Sequence, residues 1–203
     1  MEIFAEPAVL THRFGPVIFN NTTKLIVGTL PPETSEYYFS NSPRTRLWDI
    51  LKTISTNSET IYSGSYLLAT NEKEQILSSL NLGLCDIIKK YSRLIPDSVE
   101  DRHIIPLEYF NLPEIIKDTR IDTVLFVYQS AANWFLHSIK GVKPVSLEKL
   151  LKHYNRNSEF YSFEINGRKV KCILLPNPQN IGQKGETMQF KLEAYRAAIS
   201  LNK

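Results

Sequence analysis

Lys24-Leu-Ile-Val-Gly-Thr-Leu-Pro-Pro-Glu-Thr-Ser-Glu-Tyr-Tyr38, followed further on by Trp48-Asp-Ile-Leu51, is the stretch from which the fold of this chain can be read. Leu25, Ile26 and Val27 form a short unbroken apolar run, the pattern of a strand covered on both faces, and Gly28 then admits another group close to the backbone. The run stops in a loop of hydroxyls, prolines and aromatic rings. In an open α/β sheet the crevice beyond the carboxyl ends of the strands is where ligands bind, so a rigid polar loop at that edge marks a candidate site.

Outward from this strand, strand and helix signals alternate, which predicts a three-layer α/β sandwich around a mainly parallel sheet. The first strand covers about residues 24–28, and Leu47, Ile50, Leu51 and Ile54 share one face of a helix over 45–55. Thr70-Asn-Glu-Lys-Glu74 provides a cap and first turn for a helix reaching about Leu80. A second strand is expected over 82–86, with Asp86 capping a helix after it. Residues 113–118 read as a short helix, 123–127 as a buried strand and 130–139 as a helix. Asn166-Gly167, between alternating runs over 160–165 and 169–175, signals a type I′ hairpin. Its second arm becomes the last core strand and delivers Pro176 to Asn180 to the same edge as the first loop. A closing helix over 186–201 is expected to turn Phe190, Ala194, Ala197 and Ala198 inward.

With 203 residues, 42% of them apolar, the chain can bury one sizeable core, and its 8 glycines and 11 prolines fall as punctuation without a linker. Residues 1–203 therefore read as a single domain, expected to be a monomer. Glu2 and Glu6 stand where a signal peptide would be basic, and no apolar run approaches the roughly 20 residues of a membrane span. The expectation is a cytoplasmic protein with no membrane partner. Cys85 and Cys172 fall in predicted strands without CxxC spacing, as small core residues do. The four histidines, at 12, 103, 137 and 153, have no metal-ligand spacing, so no metal site is expected. No GxGxxG, Walker loop or GxSxG occurs, which removes the Rossmann, P-loop and hydrolase-triad readings. The net charge of +3 permits a nucleic-acid partner without requiring one. Lys140, Lys143, Lys149, Lys152 and Arg156 form one basic cluster and Arg168, Lys169 and Lys171 another; each suits phosphates or a solvated face equally.

Gly28-Thr29-Leu30-Pro31-Pro32, then Tyr37-Tyr38, then Leu47-Trp48-Asp49-Ile50-Leu51, resembles motif 1 of the uracil-DNA glycosylase superfamily, in particular its bacterial uracil- and hypoxanthine-acting branches. His12-Arg13-Phe14-Gly15-Pro16 resembles the family's lead-in to the first strand, and Gly83 to Ile88 with Tyr91-Ser92-Arg93 and Asp97-Ser98 its second strand and following loop. Leu174-Leu175-Pro176-Asn177-Pro178-Gln179-Asn180 resembles motif 2. The likeness spans about residues 12–198. It implies a four-stranded parallel sheet flanked by helices, and hydrolysis of the N-glycosidic bond of a deaminated or mismatched base flipped out of DNA, without metal or cofactor.

On that resemblance Gly28, Thr29, Leu30 and Pro31 present the base-binding loop, and Tyr38 or its neighbours Tyr37 and Phe39 offer rings for stacking. Thr45 stands three residues before Trp48, where the hypoxanthine-acting branch has its catalytic asparagine. A threonine hydroxyl can hold a water but lacks an amide's paired donor and acceptor. Asn41 is a neighbouring substitute, though a turn role suits it better. Where the family has an Asn-Gly pair after the third strand, this chain has Tyr128-Gln129, and the Gln129 carboxamide can pair with an N–H/C=O base edge. Motif 2 is shortened, with Asn177 and Asn180 as catalytic candidates, Ile181 as an apolar wedge, and Lys184 and Lys143 as DNA contacts. Asp86 is the one carboxylate at a predicted strand end, a general-base candidate or a helix cap; His12 suits loop packing as well as catalysis. Three readings remain: a DNA glycosylase, a glycosylase-like module that binds nucleic acid or a nucleobase without chemistry, and an enzyme of small nucleosides.

Overall fold

The computed structural model describes residues 8–39, 43–95, 98, 100–140, 159–179 and 186–200. Its central sheet has five strands, ordered β3 (Leu82–Asp86), β2 (Lys24–Gly28), β6 (Thr123–Phe126), β8 (Arg168–Leu174) and β7 (Glu159–Ile165). The first four run parallel and β7 is antiparallel to β8. The expected four-stranded parallel sheet is thus extended into a mixed one by the outer arm of the hairpin. Asn166 and Gly167 at its turn have φ of 51° and 74°, the paired left-handed geometry that a two-residue hairpin loop needs.

A second, three-stranded antiparallel sheet, β1 (Leu10–Thr11), β4 (Ile88–Arg93) and β5 (Ile104–Tyr109), was not read from the sequence. Its presence corrects the expectation of a helix after Asp86, because β4 begins two residues beyond β3. The sequence Ile88-Lys-Lys-Tyr-Ser-Arg93 carries too few apolar residues to announce a strand, and its burial comes from packing on the main sheet.

Helices cover both faces of the central sheet, as alternation along each strand dictates. Leu25, Val27, Val124, Phe126 and Cys172 point to one face, where α3 (Leu112–Ile116), α4 (Gln129–Lys140) and the small sheet supply Ile116, Ala132, Phe135 and Tyr91. Ile26, Leu125, Leu84 and Ile173 point to the other, met by Trp48 and Leu51 of α1 (Leu47–Ser55), Leu77 of α2 (Thr70–Ser79) and Tyr195 of α5 (Met188–Ser200). Both cysteines are buried and free. On α5 the inward residues are Leu192, Ala194, Tyr195 and Ala198, whereas Phe190 and Ala197 are exposed, so the buried face is rotated by part of a turn from the expected one. Among the described residues no helix is long and apolar enough to cross a membrane.

Candidate active site

Strands β2, β3, β6 and β8 all end at one edge, and the loops leaving them enclose a cleft of about 590 Å³. That volume lies in the range of small-molecule sites, about 300–1,000 Å³. Its walls include Thr29, Leu30 and Pro31 after β2, Thr45 before α1, Gln129 opening α4, and Asn177 and Gln179 after β8. The early and late segments are physically joined. Thr45 and Gln179 form an isolated antiparallel bridge, and the Arg46 amide donates to the Pro178 carbonyl at 2.8 Å.

The late loop is held from two sides. Inside it, the Gln179 amide donates to Asn177 Oδ1 at 2.8 Å, a turn that spends the side-chain oxygen and leaves Nδ2 as the donor. From α5, Lys191 Nζ donates to the Gln179 carbonyl at 2.6 Å and Tyr195 donates its hydroxyl proton to the Pro176 carbonyl at 3.0 Å. The early loop is framed by Arg93, which reaches Glu33 at 3.1 Å and also the Ser98 carbonyl, and by Arg13, which donates to the Ser35 carbonyl.

Gly28 forms no part of the cleft wall, yet its lack of a side chain is what lets the site assemble. A Cβ there would sit 2.3 Å from Asp86 Oδ1 and 2.7 Å from Phe39 Cζ. Phe39 itself is held at φ 52°, an uncommon conformation for a bulky residue, and its ring stacks at 6.1 Å and 28° on Tyr128 across the cleft. Tyr38 faces the other way. It is fully buried, bonded through its hydroxyl to the Gly15 carbonyl and through its own carbonyl to Trp48 Nε1, so Phe39 supplies the ring at the cleft.

Two carboxyls reach the cleft in different company. Asp86 Oδ2 lies 2.9 Å from His12 Nε2, with both side chains buried, and Gly28 adds a backbone hydrogen bond. His12 Nδ1 lies between the Phe14 amide, at 3.0 Å, and the Phe14 carbonyl oxygen, at 2.8 Å. Burial raises the Asp86 carboxyl above its ordinary range, and these bonds offset part of the rise. Asp101, in the turn before β5, is bonded by the hydroxyls of Ser130 and Thr29. Burial raises it too, the bonds from Ser130 and Thr29 offset part of the rise, and the Asp86 charge adds to it. Tyr128 is likewise pushed up by burial and by both carboxylates, while its phenol bonds with Thr45 and Gln179.

Of the residues singled out in the sequence, Thr29, Leu30, Pro31, Thr45, Gln129 and Asn177 are brought together here, and Asp86 joins them. Asn41, Asn180, Ile181, Lys184 and Lys143 lie outside the described residues. Arg168 of the second basic cluster bonds the Ile116 and Thr119 carbonyls, and Lys169 pairs with Glu159, so that cluster ties the hairpin down. Asp101, Ser130, Arg44 and Arg102 also line the cleft and were missed. The only signal for Asp101 was a charged triplet, Glu100-Asp-Arg102, which reads as an ordinary loop.

Such a cleft, at the carboxyl edge of an α/β sheet and walled by the loops of the first and last parallel strands, is the ligand-site arrangement of an open α/β fold. The chain is similar to the solution NMR structure of a "putative uracil DNA glycosylase" from Methanosarcina acetivorans, with a TM-score of 0.60 and 18% identity over 95% of this chain and 97% of that one. At that identity the likeness establishes the fold. No protein-family model and no curated protein matches the chain.

Proposed function

We propose that the protein is a DNA base-excision glycosylase of the uracil-DNA glycosylase superfamily, within its bacterial uracil- and hypoxanthine-acting branches. It hydrolyses the N-glycosidic bond of a deaminated or mismatched base flipped from the stack. The observation that supports this most is the pairing of Thr45 with Gln179, which joins the two family-like loops around one cleft. A base inside a duplex cannot be reached, so it must be extruded into a pocket that offers stacking and edge hydrogen bonds. Phe39 offers the ring, Gln129 and the Asn177 Nδ2 amide offer edge contacts, and Thr29 to Pro31 supply a rigid wall. Arg44 and Arg102 at the mouth are placed for flanking phosphates. The bond's electron pair leaves with the base, and donors such as Asn177 Nδ2 stabilise that charge as it grows.

The test is release of free base from oligonucleotides, single- and double-stranded, that carry uracil, hypoxanthine or a mismatch. We expect release from at least one, reduced about 100-fold or more by Asn177→Ala, the scale of losing one charge-stabilising donor. No release from any substrate across salt and pH refutes the reading. A second reading, a module that binds nucleic acid without cutting, draws on the Thr45 hydroxyl being engaged by Tyr128. Salt-dependent DNA binding with no base release selects it.

A further inference from the structure

We infer that Asp101 is the catalytic carboxylate of this cleft, the group that takes the proton of the attacking water; the inference rests on the glycosylase reading. The cleft's other polar groups are engaged elsewhere or do not accept protons. Thr45, at the place of the family's asparagine, bonds Tyr128. Asn177 spends its oxygen on the Gln179 amide, and carboxamides do not accept protons at neutral pH. Arg44 and Arg102 are permanently charged donors, and Glu100 is exposed and paired with Arg102. Asp86 is fully buried and clamped by His12 and the Gly28 backbone. Among the described residues, Asp101 alone is a carboxylate that reaches the cleft held by neutral hydroxyls, which orient it without neutralising it.

Its anchors belong to rigid parts of the fold. Thr29 leaves β2 and Ser130 lies in the first turn of α4, so the carboxyl is fixed between the base-binding loop and the Gln129 edge. The charged groups facing it are Asp86 on β3 and Arg93 on β4, with Glu100 and Arg102 beside it in the chain and the Tyr128 phenol after β6. Arg93 is hydrogen-bonded to Glu33 and the Ser98 carbonyl and acts on Asp101 through its charge, which favours the ionised carboxyl, while the two hydroxyls hold it. The two aspartates have divergent environments, one paired with an imidazole and one with hydroxyls, the arrangement that separates a structural carboxyl from a reactive one.

In the step assigned to it, the water oxygen bonds to C1′ of the deoxyribose as the C1′–N bond breaks. One water proton passes to Asp101, the electron pair of the broken bond leaves on the base, and the base is then protonated by Asp101 or solvent. The products are free base and an abasic sugar bearing the new 1′-hydroxyl.

The experiment is single-turnover base release as a function of pH by the wild type, Asp101→Asn, Asp101→Glu and Ser130→Ala, with DNA affinity measured alongside. We expect the wild-type rate to climb with pH and level off once Asp101 is ionised. Asp101→Asn should lose about 100-fold or more, the range of general-base contributions, lose that acidic limb and keep its DNA affinity. Asp101→Glu should recover part of the rate. Ser130→Ala, which removes a bond to the ionised carboxyl, should shift the limb to higher pH even if the asparagine variant folds poorly. An Asp101→Asn enzyme with the wild-type rate, or a limb unmoved in Ser130→Ala, overturns the assignment while leaving the glycosylase reading intact. A wild type that releases no base overturns both.

Discussion

At Gly28 the requirement is for room, because its backbone is extended and ordinary while Asp86 Oδ1 and the Phe39 ring occupy the space a methyl group would need. Gly28→Ala should therefore destabilise the fold by about 1–3 kcal/mol, the usual cost of overpacking, and displace Phe39 from Tyr128. Chemical denaturation measures the first effect; an unchanged midpoint would show that Asp86 and Phe39 yield freely. Asp101 supplies a second residue-scale expectation. Burial raises its carboxyl above the ordinary 3.8, so the folded state holds the proton more tightly than the unfolded chain does. That contribution to stability is complete below pH 3.8 and is lost as pH rises through the folded-state value. Asp101→Asn, which stays neutral, should thus gain stability over the wild type as pH rises, with the gain vanishing near about pH 4, where carboxylates protonate. Thermal unfolding across pH reads this out, and a constant difference between the two proteins contradicts it. Gly28 and Thr29 were legible because a glycine that ends a buried apolar run signals a close approach at the strand's end. Asp101 was not, since its meaning depends on Thr29 and Ser130, which only the fold brings to it.

Among the elements, α5 does more than cover the sheet. Tyr195 and Lys191 reach from its buried side to the Pro176 and Gln179 carbonyls, so the helix sets the position of the loop that carries Asn177. Tyr195→Phe leaves a buried carbonyl without its donor, which costs about 1–3 kcal/mol. Hydrogen exchange should show faster opening at 176–179, while unchanged protection there would mean the loop is held by its own turn. The strands β2, β3, β6 and β8 and the hairpin were readable from apolar runs and Asn166-Gly167, because local pattern and final burial agree there. The small antiparallel sheet was hidden for the opposite reason. Its strands are half polar, and contacts with the main sheet rather than their own periodicity decide their conformation.

For the whole molecule, the sequence pointed to two loops about 150 residues apart meeting at one edge, and the fold supplies the reason. Parallel strands β2 and β8 flank β6 and point the same way, so the loops that leave them emerge together. The sheet's composition departed from expectation only at its margin, where β7 adds an antiparallel edge. On the proposed function, this shared edge is a nucleobase site. A crystal of the protein soaked with uracil or hypoxanthine tests it most directly. Base density should appear inside the cleft, stacked on Phe39, with its polar edge toward Gln129 and Asn177 and with Asp101 alongside. A base bound elsewhere on the molecule, or a cleft left without base under saturating ligand, would contradict it.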